Sequence, residues 1–476
     1  MKCLFCASEA LPFAASGGLG DVAGSLPQAL RKKLVGCRIV MPLYGTISQE
    51  LKDKMRFITS FSVPVSWRRQ YCGVFEANHN GVIYYLLDNE YYFNRGSLYG
   101  SYDDAERFTF FSRAILEMLP YINFKPDIIH CNDWQTALVP IYYSLFYSQY
   151  DWYRGIKTLF TIHNIQYQGK YGMELLSEIF GLPSYASSLV QYGDCLNLMK
   201  GAIESANRIS TVSPTYSGEI MDPWYSHGLD SILRNRSWKL SGILNGIDYD
   251  NYNPETDKDI YKNYSLNDMS GKAENKKALQ ERLGLEQNSK IPLIGMVTRM
   301  VSHKGLDLVK ESLEQIMNEE NIQFVILGSG DWEYENFFKY MQNKYPGRLV
   351  SCFGFVPELS RKIYAASDMF LMPSKSEPCG LSQMIALRYG SIPIVRATGG
   401  LRDSIHDSGD GFGNGFVFQR YDKYDMMNAI RRAIAGYWDE NNGWQILMKR
   451  AMESDNSWSK SADEYIKLYQ HIINEG

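Results

Sequence analysis

The feature that most constrains this chain is a short run of residues, apolar throughout, that recurs between helical patterns and in most cases ends at Gly, Asn, Asp, Ser or His. The first half carries "CRIVMPLY", "GVIYYLL", "DIIHCN", "KTLFTIHN", "RISTVSP" and "SGILNGID". The second half adds "IPLIGMVTR", "QFVILGSG", "RLVSCFGF", "DMFLMPS" and "SIPIVRAT". A strand with one wet face alternates polar and apolar residues, so continuous apolar runs mark parallel strands covered on both faces by crossover helices. The fold class expected is therefore α/β, doubly wound, and at 476 residues it must be built twice, because one core rarely supports such a length. Open parallel sheets bind ligands in the crevice outside their strand C-termini, so the polar residues that end these runs are the candidates for function.

Between the halves, "NGIDYDNYNPETDKDIYKNYSLNDMSGKAENKKALQERLGL" is polar and low in apolar content until Leu279, and it reads as a connector. The domain boundary is expected near Gly242, giving domains 1–241 and 242–455. The final stretch, 456–476, begins with a Ser-type cap and continues as an amphipathic helix. Its Ala462, Tyr465, Ile466 and Leu468 share a face that needs a surface to cover.

A net charge of -4 with acids and bases interspersed leaves no long basic run for nucleic acid. The start "MKCLFCASEALPF" imitates a signal peptide, but Ser8 and Glu9 cut the apolar run short. No run approaches the roughly 18 apolar residues of a membrane span, so a soluble, cytoplasmic protein is expected. The eight scattered cysteines fit free thiols in a reducing compartment. Cys3 and Cys6, three apart on a strand, point to opposite faces and cannot grip one ion.

Four polar clusters fall at strand ends. In "PFAASGGLGDVAGSLPQAL", Gly18-x-Gly20-x-x-Ala23 has the spacing of a dinucleotide turn, with Asp21 in the first turn of the helix. The ribose-holding acid expected after the next strand is missing, so the turn suggests phosphate or sugar contact without NAD. Asp133 and Trp134 end "PDIIHCN", and His163-Asn164 end "KTLFTI". In the second half Arg299 and Lys304 lie five apart across a strand-to-helix turn and suit a diphosphate, Arg by bidentate contact and Lys as a point charge. "EPCGLS" exposes Glu377 ahead of Cys379, Gly380 and Leu381, and "ATGGL" supplies a second turn of bare amides at Gly399-Gly400. The sequence contains no HExxH, no clustered histidines, no P-loop lysine and no GxSxG elbow, so no metal site and no cofactor are expected.

The blocks "SGGLGDVAGSLPQAL", "HCNDWQTAL", "TIHNIQYQG", "TVSPTYSGEI", "SGILNGIDYDNYNP", "KAENKKALQERLGL", "TRMVSHKGLDL", "MPSKSEPCGLSQMIALRYG" and "GNGFVF" resemble, in order and over nearly the whole chain, the starch/glycogen synthase family. The resemblance implies a GT-B fold, two Rossmann-like domains with a deep cleft and a C-terminal helix crossing back to the first domain. It also implies transfer of glucose from ADP-glucose to the 4-hydroxyl at the non-reducing end of an α-1,4-glucan such as glycogen, with retention and without metal. UDP-glucose is the alternative donor. By position it makes Glu377 the carboxylate near the donor glucose, and Arg299 and Lys304 the diphosphate pair. His163 becomes the active-site histidine and Asp133 the acid that shapes the sugar site. Ser16, Gly17, Gly18, Asp21, Asn164, Asn245, Ser374, Cys379, Gly380, Leu381, Gly399 and Gly400 fall at substrate-binding positions.

One departure lies in the first block. The family usually reads Lys-x-Gly-Gly-Leu, with the lysine reaching the diphosphate, whereas this chain reads Ala15-Ser16-Gly17-Gly18-Leu19. Ser16, the Gly17-Gly18 amides or His303 beside Lys304 are the available replacements. Two rival readings remain: a dinucleotide oxidoreductase, resting on the glycine spacing alone, and a catalytically silent glucan binder. The second draws on Ala15 and on Tyr147, Tyr150, Trp152 and Tyr153 as sugar-stacking rings, against the plainer reading of a packed aromatic helix face.

Overall fold

Residues 1–439 and 442–475 are described by the computed structural model, in which the chain divides into Met1–Asn245 with Trp458–Gly476, and Gly246–Ser457. The first unit holds β1 (Lys2–Cys6), β2 (Gly36–Pro42), β3 (Arg56–Val65), β4 (Arg68–His79), β5 (Val82–Asp88), β6 (Ile128–Asn132) and β7 (Lys157–Ile162). A small antiparallel sheet of β8 (Lys170–Tyr171), β9 (Gln191–Tyr192) and β10 (Cys195–Asn197) precedes β11 (Arg208–Thr211) and β12 (Leu240–Gly242). The main sheet runs β12-β11-β7-β6-β1-β2-β5-β4-β3, parallel from β12 to β5. Every residue of β6 and β11 is buried, as strands covered on both faces require.

The β3–β4 hairpin departs from the all-parallel expectation. It pairs antiparallel at the sheet edge, and most of its residues are exposed or half-buried. A half-wet edge strand needs no continuous apolar run, so it escapes a search for buried parallel strands. The terminal helix Trp458–Asn474 packs on the helix Gly18–Lys32 within this unit. It buries Ala462, Tyr465 and Leu468 of the foreseen face, while Ile466 is half-buried and Trp458, Tyr469 and Ile472 complete it.

The second unit holds β13 (Leu293–Val297), β14 (Gln323–Gly328), β15 (Leu349–Phe353), β16 (Met369–Met372), β17 (Ile392–Arg396) and β18 (Phe416–Phe418), in the parallel order β15-β14-β13-β16-β17-β18. From Gly246 onward the stretch read as a connector belongs to this unit, and it contains the helix Ser270–Leu283, which packs on the helix Pro357–Ala366. Its buried face is cationic rather than apolar. Lys272 Nζ donates to the carbonyls of Ala365, Ser367 and Tyr389 at 3.0–3.1 Å, and Lys276 pairs with Asp368 at 2.7 Å. Lysines that satisfy buried carbonyls carry no hydrophobic periodicity, which is why the helix was hidden in the sequence.

Candidate active site

In the first unit β1 sends the chain to β2 on one side, while β6 and β7 lie on the other, so the sheet order reverses beside β1. The loop after β1 carries Glu9, only 2% exposed. Its Oε2 accepts from the Ser16 N–H and hydroxyl, both at 2.7 Å, and its Oε1 accepts from the Gly20 N–H at 3.0 Å. The turn is tight enough that a Cβ on Gly20 would lie 2.4 Å from that of Ala15. Ser16 was expected to face a diphosphate, but its two donors are held by Glu9. Ala15, Gly17 and Gly18 are exposed there, and Asp21 is half-buried in the first helical turn.

Asp133 follows β6 at φ 56°, ψ 178°, a region that L-residues occupy only when their surroundings impose it. Its N–H donates to the Thr161 carbonyl at 3.0 Å, and its Oδ1 accepts from the His163 N–H at 2.8 Å and more weakly from Asn164 at 3.4 Å. Removal from water pushes the carboxyl up to about 7, with Glu9 adding to the rise against those two amides. Asn132 donates its amide to the carbonyls of Cys6 at 2.9 Å and His130 at 3.3 Å, which turns its Oδ1 towards His163 Nε2, 2.8 Å away. His163 must therefore carry its proton on Nε2 and leave Nδ1 as a lone pair. Burial pulls this imidazole down to about 3, so it is neutral at physiological pH.

Trp134 packs edge-on against Phe108 at 5.2 Å and tilted against Tyr171 at 6.0 Å, which is core packing rather than an open sugar platform. Tyr147 and Tyr153 are likewise buried, their rings 5.0 Å apart, while Tyr150 is exposed. Asn245, the last residue of this stretch of the unit, is buried, and its Oδ1 has no hydrogen-bond partner among the described residues.

In the second unit the order reverses between β13 and β16. Arg299, after β13, is exposed and forms no ion pair among the described residues. Gly305 ends the following turn at φ 76°, where an added Cβ would lie 2.1 Å from the Pro373 carbonyl oxygen. That close approach brings Lys304 to the loop after β16, where its Nζ meets Glu377 at 2.7 and 3.0 Å. Ser374 Oγ donates to the same carboxylate at 3.0 Å, and Glu377 is 6% exposed. Both cations were expected to be available to one anion, but in this structure Lys304 is held by Glu377. His303 is pulled below its ordinary range by burial and by Lys304, so it adds no third cation near pH 7.

Gly399 and Gly400 serve the loop that carries Glu377. A Cβ on Gly399 would sit 1.9 Å from the Glu377 carbonyl oxygen, and one on Gly400 would sit 2.1 Å from that of Cys379. The Gly400 N–H is not bare, since it donates to the Glu377 carbonyl at 3.1 Å. Cys379 is buried, Gly380 takes φ 72°, and Leu381 is half-buried at the start of the helix Ser382–Arg388. Buried Arg396 donates its Nε to the Ser374 carbonyl at 2.8 Å and holds the loop from below. Sequence reasoning missed Glu9, Asn132 and Arg396. Glu9 alone left a signal, an acid between a strand and a glycine turn.

Two Rossmann-like units in one chain, each with its polar residues at the reversal of strand order, are the GT-B fold of glycosyltransferases. Residues 2–235 match the family described as starch synthase catalytic domain, and residues 278–445 match glycosyl transferases group 1. The chain is 51% identical to the glycogen synthase of Clostridium botulinum (strain Alaska E43 / Type E3) over 99% of each chain. It is 49% identical to that of Clostridium beijerinckii over 100% of each. A solved structure, the catalytic domain of starch synthase IV from Arabidopsis thaliana bound to ADP and acarbose, superposes with a TM-score of 0.90 at 36% identity, covering 99% of each chain. The chain belongs to the starch/glycogen synthase family and is an enzyme that extends glucan chains. No helix among the described residues is long and apolar enough to cross a membrane.

Proposed function

We propose that the chain transfers glucose from ADP-glucose to the 4-hydroxyl at the non-reducing end of an α-1,4-glucan, with retention at carbon 1. The observation that carries this reading is the cluster of exposed Arg299, Lys304 and buried Glu377 at the strand reversal of the second unit. Breaking a glycosyl diphosphate builds negative charge on the leaving phosphates and positive charge at carbon 1. Arg299 and Lys304 suit the first charge, and Glu377 lies next to them for the donor sugar. Once a diphosphate competes for Lys304, the Glu377 carboxylate loses its partner and is left to the sugar side. On the first unit, neutral His163 and Asp133 offer a lone pair and a carboxylate of the kind that suits a sugar. His163 is not an obvious covalent nucleophile, so attack on the face that the phosphate leaves, assisted by the leaving phosphate, is the retaining route favoured.

The relative bound to ADP supports an adenine nucleotide as donor. Ala15, exposed where the family carries lysine, favours testing UDP-glucose beside it. The test is incorporation of labelled glucose into glycogen from each donor, with β-amylase digestion to read the linkage. Incorporation from ADP-glucose into a β-amylase-sensitive product is expected. No incorporation from either donor would leave a glucan binder, and preference for UDP-glucose would overturn the donor assignment.

A further inference from the structure

Beneath the Asp133–His163 turn runs a chain of hydrogen-bonded side chains that takes no part in the transfer itself. The Tyr469 hydroxyl, on the terminal helix, lies 2.7 Å from His130 Nδ1, and His130 Nε2 lies 2.6 Å from Thr161 Oγ1. Thr161 Oγ1 in turn lies 2.6 Å from Ser210 Oγ. All of these residues are 0% exposed, and they cross β6, β7 and β11 on one face of the sheet. Polar groups in a dry core are tolerated only when bonded, and a fully bonded set fixes its own geometry tightly. Burial holds the His130 imidazole well below its ordinary value. A neutral ring donates from one nitrogen and accepts at the other, which the two flanking hydroxyls complement.

Thr161 is the pivot. Its hydroxyl belongs to this chain, while its carbonyl accepts the Asp133 N–H at 3.0 Å. Directly opposite it in the β6–β7 register stands Asn132, which takes part of its orientation from the His130 carbonyl and meets His163 Nε2. Asp133 sits in a backbone conformation that persists only where the surroundings over-determine it. We propose that Tyr469, His130 and Thr161 are positioning residues for the sugar half-site. They set β6 against β7, and so set where the Asp133 carboxylate and the His163 ring point. The inference rests on the role proposed above for Asp133 and His163, and it ties a helix more than 300 residues away in sequence to the reacting centre.

The test compares Thr161→Val, which keeps the shape and removes the hydroxyl, with Thr161→Ser, which keeps the hydroxyl, and with Tyr469→Phe. Thr161→Val should lower kcat by about tenfold or more while KM for donor and glucan stays within about twofold, and Thr161→Ser should restore kcat to within about twofold. Tyr469→Phe should lower kcat severalfold in the same manner, and it decides the matter if Thr161→Val does not fold. Unchanged kcat in Thr161→Val, a loss through KM alone, or equal damage from Thr161→Ser would overturn the inference. If the unaltered chain shows no turnover, the proposed function fails by itself, and the imidazole ¹⁵N shifts of His163 still read the positioning. A single Nε2–H tautomer that becomes mixed in Thr161→Val supports it, and identical shifts overturn it.

Discussion

Glu377→Gln tests the second half-site because it should move binding and turnover in opposite directions. The carboxylate holds Lys304 through both oxygens at 3.0 and 2.7 Å and accepts the Ser374 hydroxyl at 3.0 Å, with side-chain exposures of 17% for Lys304 and 8% for Glu377. Removing one partner of a fully buried pair costs about 3–5 kcal/mol. Glutamine keeps an acceptor for both neighbours, and Lys304 keeps part of its hydration, so the cost here should be about 1–3 kcal/mol. In a unit of this size that lowers Tm by roughly 2–10 °C. The same substitution releases Lys304 for a diphosphate, so ADP should bind equally well or up to about tenfold more tightly, a gain of up to about 1.4 kcal/mol. Turnover should nevertheless fall by about a hundredfold or more, because the carboxylate charge is lost where positive charge develops. Calorimetric titration with ADP, labelled-glucose incorporation and thermal denaturation give the three readings. Turnover near that of the unaltered chain, or weaker ADP binding, would refute the assignment of Glu377 to the sugar and Lys304 to the phosphates.

Asp133, pushed up from its usual 3.8 to about 7, should make kcat rise with pH through about 7, since the carboxylate and not the acid stabilises a developing cation; Asp133→Asn should flatten that limb, and an unchanged profile counts against the role. The sign for stability is the reverse. The folded chain binds this proton more tightly than the unfolded chain, so the contribution is complete below about pH 4 and is lost as pH rises to about 7, a slope that thermal denaturation of Asp133→Asn should lack. Ala15→Lys should lower KM for ADP-glucose and UDP-glucose in similar proportion, by about ten- to a hundredfold, because a cation on the diphosphate does not read the base. Unchanged kinetics with both donors would place residue 15 away from the phosphates. Lys272→Met strands three carbonyls that its ammonium now satisfies, and should lower Tm by about 5 °C or more; an unchanged Tm would show that those carbonyls find other donors.

The sequence by itself determined the class of fold and marked the strand ends as the candidates for a site. Continuous apolar runs require strands buried on both faces, and a parallel sheet so covered leaves only its strand ends for chemistry, which is why Asp133, His163, Arg299, Lys304 and Glu377 could be named without coordinates. Tertiary structure decided which of these groups is already engaged. Glu9 occupies the donors of Ser16 because β1 and the glycine turn fold back on each other, and Lys304 is held by Glu377 because Gly305 lets its turn approach Pro373. The buried lysines of the helix Ser270–Leu283 and the Tyr469–His130–Thr161–Ser210 chain were equally hidden. The physical reason is the same in each case. Apolar burial is additive along the chain and leaves a periodic imprint, whereas a buried polar group is stable only through a partner of matching geometry, and that partner is fixed by the fold rather than by spacing in sequence.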